Sequence, residues 1–210
     1  MKMNMKRFGL LVAVPLALLA GCGEADGLKT TATDTEEVAE AEASAPEKST
    51  SENEDVQESE LGTNKIYMKN KSLTITETMG PIQFAIDKVQ TSRLQVNEVY
   101  RDSFDGAEEV TVVAMNVIAE NTIDDAISFY PNQGTIVTNT GEQVEADLLF
   151  SDDVGGEFLG KVKKEGNVLF FVKAKPEELT DLKVVIDGPF NENFDKVAED
   201  RYEYTIDVTK

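Results

Sequence analysis

The sequence holds a single cysteine, Cys22, and neither histidine nor tryptophan. Those absences remove most familiar site chemistries. A Ser-His-Asp triad or a Cys-His pair needs an imidazole, and zinc sites need cysteine or histidine ligands. The glycine-containing stretch SDDVGGEFLG, Ser151 to Gly160, has neither the lysine nor the downstream helix of a phosphate loop. Carboxylates remain. Asp147, Asp152 and Asp153 flank one turn and Asp124-Asp125 mark another, and oxygen-rich loops of this kind can bind calcium. Neither stretch has EF-hand spacing, and among 40 Asp+Glu close acidic neighbours arise by chance, so a solvated loop is the default. A hydrolase working through Asp152 or Asp153 needs a substrate cleft rich in aromatics, whereas aromatics are 7% of this chain. The expectation is no catalytic residue, no cofactor and no resident metal. Calcium-dependent adhesion and a carboxylate-based envelope hydrolase stand as alternatives.

Cys22 has no disulfide partner, so its neighbours decide its use. Lys2, Lys6 and Arg7 precede an apolar run from Phe8 to Leu18, which matches the charged and hydrophobic regions of a secretory signal. A membrane-spanning helix needs about 20 apolar residues, and this run meets Glu24 and Asp26 too soon. Leu19-Ala20-Gly21-Cys22 resembles the lipobox of bacterial lipoproteins. That resemblance implies a signal peptide over 1–21, a diacylglycerol thioether on Cys22, and attachment to the outer face of the cell membrane. The chemistry requires a thiolate as the nucleophile that takes the lipid. Two acyl chains, each methylene contributing about 0.8 kcal/mol, make the attachment durable.

From Gly23 to about Gly62 the chain is rich in Glu, Ser, Thr and Ala and has no aromatic residue. Such composition cannot offset the entropy of ordering, so residues 22–62 are expected to be a lipidated, disordered acidic tether. Its net charge is about −11, close to half of the mature total. About 40 residues span roughly 35 Å as a flexible coil and roughly 140 Å fully extended.

Residues 63–210 change character, with apolar and polar residues alternating at period two, the strand signal. In RYEYTIDV, Tyr202, Tyr204, Ile206 and Val208 share one face; LKVVID turns Leu182, Val184 and Ile186 inward; PIQFAID does so with Ile82, Phe84 and Ile86, and SLTITET with Leu73 and Ile75. Val110 to Ala119 and Asn167 to Val172 are apolar on both faces, as central strands covered on both sides are. Turn signals fall at Asn139-Thr140-Gly141, Gly155-Gly156, Glu165-Gly166 and Asp187-Gly188-Pro189. NEVYRDSFDGAEE, Asn97 to Glu109, reads as an ordered loop or hairpin extension between two strands, and PEELTDL, Pro176 to Leu182, as a short helix or turn. Roughly eight strands with frequent turns suggest one antiparallel sandwich.

On VVAMNVIAENT, GTIVTNTGEQVEAD and LGKVKKEGNVLFFV, the domain is similar to the immunoglobulin-like extracellular domain common in lipoproteins of Gram-positive bacteria. That group is related to a mycobacterial secreted immunoprotective antigen. The matching positions are Val113 to Asn121, Thr138 to Gln143 and Gly160 to Val172. The resemblance implies an all-β, immunoglobulin-like antiparallel sandwich and brings no catalytic residues; the Cys and Trp pair of antibody domains is missing.

The net charge of −20 argues against nucleic acid as a partner and favours solubility. The expected role is non-catalytic binding or structural support at the cell envelope, with membrane contact through the lipid and an envelope protein or wall polymer as partner; the oligomeric state is open. Phe129, Tyr130, Phe150, Phe158, Phe190 and Phe194 serve as core or as contact surface. ISFYPNQG and DGPFNENF are where an exposed patch is expected, and edge strands offer a second way to accept a partner.

Overall fold

Alternation of apolar side chains builds the chain into three antiparallel sheets in a computed structural model that describes residues 55–210. The expected signal peptide, Cys22 and the expected tether up to residue 54 lie outside the described residues. The strands are β1 (Val56–Ser59), β2 (Gly62–Asn70), β3 (Ile75–Met79), β4 (Ile82–Val96), β5 (Glu109–Asn121), β6 (Ile127–Phe129), β7 (Thr135–Thr138), β8 (Gln143–Glu145), β9 (Gly156–Phe158), β10 (Lys163–Val172), β11 (Asp181–Asp187), β12 (Phe190–Asn191) and β13 (Arg201–Asp207). The large sheet runs β1-β2-β4-β5-β10, with β3 also on β4; the second runs β13-β11-β7-β8, and a small one runs β12-β6-β9.

The main core draws on all three sheets. Ile82, Phe84 and Ile86 of β4 meet Val113, Met115 and Val117 of β5, Val168 and Phe170 of β10, and Leu182, Val184 and Ile186 of β11. The β4 and β11 residues are those that alternation in the sequence places inward, and the β5 and β10 residues come from the segments read as apolar on both faces. At about 25 cal/mol per Å² of apolar surface removed from water, such burial is the main stabilising term in a chain without disulfides. β4 is 15 residues long and pairs with β3 in its first half, β2 in its second, and β5 along its whole length. A bulge between Ile86 and Lys88 separates the halves.

A second cluster lies on the other face of the large sheet. Leu94, Val96, Val110 and Val112 are buried there with Phe104. Phe104 closes a 3-10 helix, Glu98–Phe104, so the Asn97–Glu109 connection is ordered by its own ring packing rather than by extension of the hairpin. Very short strands such as β6, β9 and β12, two or three residues each, raise the strand number above the roughly eight legible in the sequence. They lack the length to show alternation.

Three local expectations change. Val56 to Ser59, inside the acidic segment, pair with Gly62 to Lys65 as a hairpin; the glycine permits it, since Gly62 has φ 142° and a Cβ there would overlap the Gln95 carbonyl. Glu165-Gly166 is not a turn but the middle of β10. Gly166 is there for close approach: a Cβ would stand 2.5 Å from Asp152 Cβ and 2.8 Å from Val154 Cγ1. PEELTDL divides into a 3-10 turn, Pro176–Glu178, and the start of β11.

Candidate functional site

The carboxylates singled out by spacing do not converge. Asp147 Oδ1 accepts the backbone N–H groups of Leu149 and Phe150 at 2.9 and 3.1 Å, the way an Asp closes a turn. Asp152 Oδ2 accepts from the Asn167 backbone N–H at 2.6 Å and from its side-chain amide at 3.3 Å, which pins the 147–152 segment to β10. Asp124 pairs with Lys161 at 3.4 Å, and Asp125 uses its backbone carbonyl to accept from Asn121. Asp153 is exposed. Among the described residues no three Asp, Glu, Cys or His side chains stand together as metal ligands.

The aromatics divide by role. Phe129 and Phe158 are fully buried, and Phe129 meets Phe84 edge-on at 5.7 Å. Phe150 stacks on Phe104 at 6.0 Å and meets Phe171 edge-on at 5.7 Å, fastening its loop. The other three form a ladder. Tyr130 stacks on Phe190 at 6.2 Å and 24°, and Phe190 on Phe194 at 5.7 Å and 22°. The stretches ISFYPNQG and DGPFNENF, 60 residues apart, thus meet at one surface, where Phe194 is 81% and Tyr130 38% exposed.

Local chemistry explains the ladder. Phe129 points inward from β6, so its neighbour Tyr130 must point out, and Pro131 then starts a 3-10 turn that holds it. Phe190 lies opposite Ser128 in the β12–β6 register. Beyond it, Asn191 Oδ1 accepts the N–H groups of Asn193 and Asp195, both at 2.9 Å, and the Phe194 N–H donates to the Asn191 carbonyl at 3.0 Å. That turn sets Phe194 at φ 62°, a region bulky side chains avoid. A hollow of about 560 Å³ adjoins the ladder, bordered by Phe190, Phe194, Asp187, Lys196, Asp200 and Arg201. Its charges are paired, Arg201 with Asp187 at 3.1 Å and Lys196 with Asp200 at 2.5 Å.

Leu159, 70% exposed, lines a neighbouring hollow with Asn191 and Asn193. Sequence reading missed it. Its position directly after the inward Phe158 was the available signal. Exposed aromatics of this kind are typical anchors of interfaces.

An antiparallel β-sandwich with an exposed aromatic end is the architecture that fold and surface define. Over 149 residues the chain is 30% identical to the SPbeta prophage-derived uncharacterized lipoprotein YonS of Bacillus subtilis (strain 168), an alignment taking in 69% of this chain and 66% of that protein. The chain is therefore related to a bacterial lipoprotein and spans about two thirds of its length. A functionally unknown protein from Listeria monocytogenes EGD-e shares the fold at a TM-score of 0.55 and 12% identity, over 70% of this chain and 89% of that one. No protein-family profile matches. Neither relative's name carries an activity. No helix among the described residues is long and apolar enough to cross a membrane.

Proposed function

We propose that this chain is a lipoprotein held on the outer face of the cell membrane through Cys22, with a non-catalytic binding role at the cell envelope. Similarity to a lipoprotein over 149 residues, in a chain whose one cysteine follows Leu19-Ala20-Gly21, is the observation that carries the reading. An acidic tether holds the β-sandwich away from the bilayer, and the Tyr130-Phe190-Phe194 ladder is the contact surface for an envelope protein or wall polymer. Residue chemistry agrees with a binder: Asp147, Asp152 and Asp124 are spent on a turn, a strand contact and an ion pair, and Asp125 and Asp153 join no cluster of carboxylates.

The test is partition of the full-length chain between membrane and soluble fractions, wild type against Cys22→Ala. Wild type is expected with the membrane, releasing only into detergent, and Cys22→Ala in the soluble fraction or unprocessed. Identical fractionation of the two, or an unmodified thiol on the intact polypeptide by mass spectrometry, refutes the anchor.

A further inference from the structure

The outward face of the large sheet carries a feature independent of the ladder. Register sets Lys88, Asn116 and Asn167 side by side across β4, β5 and β10. The next row brings Lys69 of β2 beside Gln90, Ala114 and Leu169. Together they floor a groove of about 520 Å³, walled by the β1–β2 hairpin on one side and Phe150 on the other. That volume falls within the range of small-ligand sites, about 300–1,000 Å³.

Amides outnumber the other polar groups here, which are Ser59, Lys69, Lys88 and Asp152. Gln57, Asn64, Gln90, Asn116 and Asn167 bring five primary amides to one concavity. Asn64 Oδ1 is buried without a hydrogen-bond partner. Such an orphan is costly unless something supplies a donor. The side chains of Gln57 and Gln90 and the Lys69 ammonium have no partner among the described residues. Lys88 is already engaged, donating to Asn116 Oδ1 at 3.3 Å and paired with Asp87 at 3.2 Å.

Charge and valence decide between ligand classes. Free amides offer donors and acceptors together, and a hydroxyl is the group that answers both. An anion would satisfy only the donors. The groove has one unpaired lysine in a chain of net charge −20, so a polyanion meets repulsion before it meets a cation. The other half of the groove is apolar, with Leu94, Val112, Phe150 and Phe171. It suits the C–H face of a sugar ring whose hydroxyl edge lies on the amides.

We infer that this groove binds a short run of an uncharged, hydroxyl-rich polysaccharide. The experiment is calorimetric titration of the full-length chain in detergent. The neutral probes are oligosaccharides of β-1,4-linked N-acetylglucosamine, β-1,4-linked glucose and α-1,4-linked glucose, with oligogalacturonate as the charged control. Saturable binding of at least one neutral probe is expected, stronger than that of oligogalacturonate. Gln90→Ala is expected to weaken it about tenfold, the worth of one lost hydrogen-bonded amide. Ala114→Phe, which fills the floor from the outward face, is expected to abolish it. Gln90→Ala stands as the test should Ala114→Phe fail to fold. Silence toward all three neutral probes, tighter binding of oligogalacturonate, or a neutral affinity unmoved by Gln90→Ala overturns the inference. Cys22→Ala leaves these affinities unchanged, so failure of the anchor and failure of the groove are read separately.

Discussion

Phe194 holds a backbone conformation that costs an L-residue about 1–2 kcal/mol, and its ring, 81% exposed, recovers little of that by burial. Strain of this sort gathers at working surfaces. Phe194→Gly removes the strain and returns part of the gain as chain entropy, roughly 0.5–1 kcal/mol. The variant is expected to be about 0.5–1 kcal/mol more stable in a denaturant titration while retaining less partner in a pull-down from envelope extract. Tyr204 presents a different tension. Its hydroxyl is buried without a partner, and burial, then the charges of Glu77 and Tyr202, hold its pKa well above the ordinary 10.0. A raised folded-state pKa means that its contribution is intact below about pH 10 and is lost as pH rises toward the folded value. Tyr204→Phe is expected to leave neutral-pH stability equal or up to about 1 kcal/mol higher. Thermal melts above pH 10 are expected to fall more steeply for wild type than for the variant. Composition alone flagged the rings of 129–130 and 190–194, because aromatics beside Pro, Asn and Gly in turns have few ways to be buried. That Tyr130 and Phe194 join through Phe190 was not legible, since it depends on β12 pairing with β6 across 60 residues.

Elements were legible where alternation persists. β4 and β11 bury the residues their period-two pattern assigns, β13 buries Ile206 and half-buries Tyr202 and Tyr204 on the same face, and β5 is covered on both faces. Failures share a cause. Gly166 reads as a turn because glycine usually is one, yet here it lets the 152–154 segment cross β10. The groove was invisible for the same reason: its amides sit on five strand or hairpin positions that only register aligns. The 3-10 helix Glu98–Phe104 rests on few contacts, chiefly Phe104 against Phe150 and Phe171, the latter at 4.8 Å. Phe104→Ala is expected to cost about 3 kcal/mol. Hydrogen exchange is expected to quicken at Tyr100, Gly106 and Ala107, whose N–H groups bond only within that turn, while β11 stays protected.

At the scale of the whole molecule, charge is the dominant sequence signal. Forty acids against 20 bases repel one another, and the ion pairs that the structure offers are mostly exposed, such as Lys183–Glu203 at 2.8 Å. Exposed pairs contribute about 0–1 kcal/mol each, too little to offset a net charge this size. Salt is therefore expected to stabilise: raising NaCl from a few millimolar to about 0.5 M shortens the screening length and raises Tm by several degrees, followed by differential scanning calorimetry. A fall in Tm would mean that attractive pairs outweigh repulsion.

The order of the large sheet has one more effect. β1 to β5 are neighbours in space as they are along the chain, whereas β10, which completes their sheet, and β11 and β13, which pack on its core, lie at the far end of the sequence. A polypeptide emerges amino-end first, at about 5–20 residues per second during synthesis. The meander from Val56 to Asn121 is thus free to form while roughly 90 residues are still to come, leaving Phe84, Val113 and Met115 wet for several seconds. In that interval the nascent half-sandwich is a sticky open clam, and it is the moment at which a chaperone has most to hold.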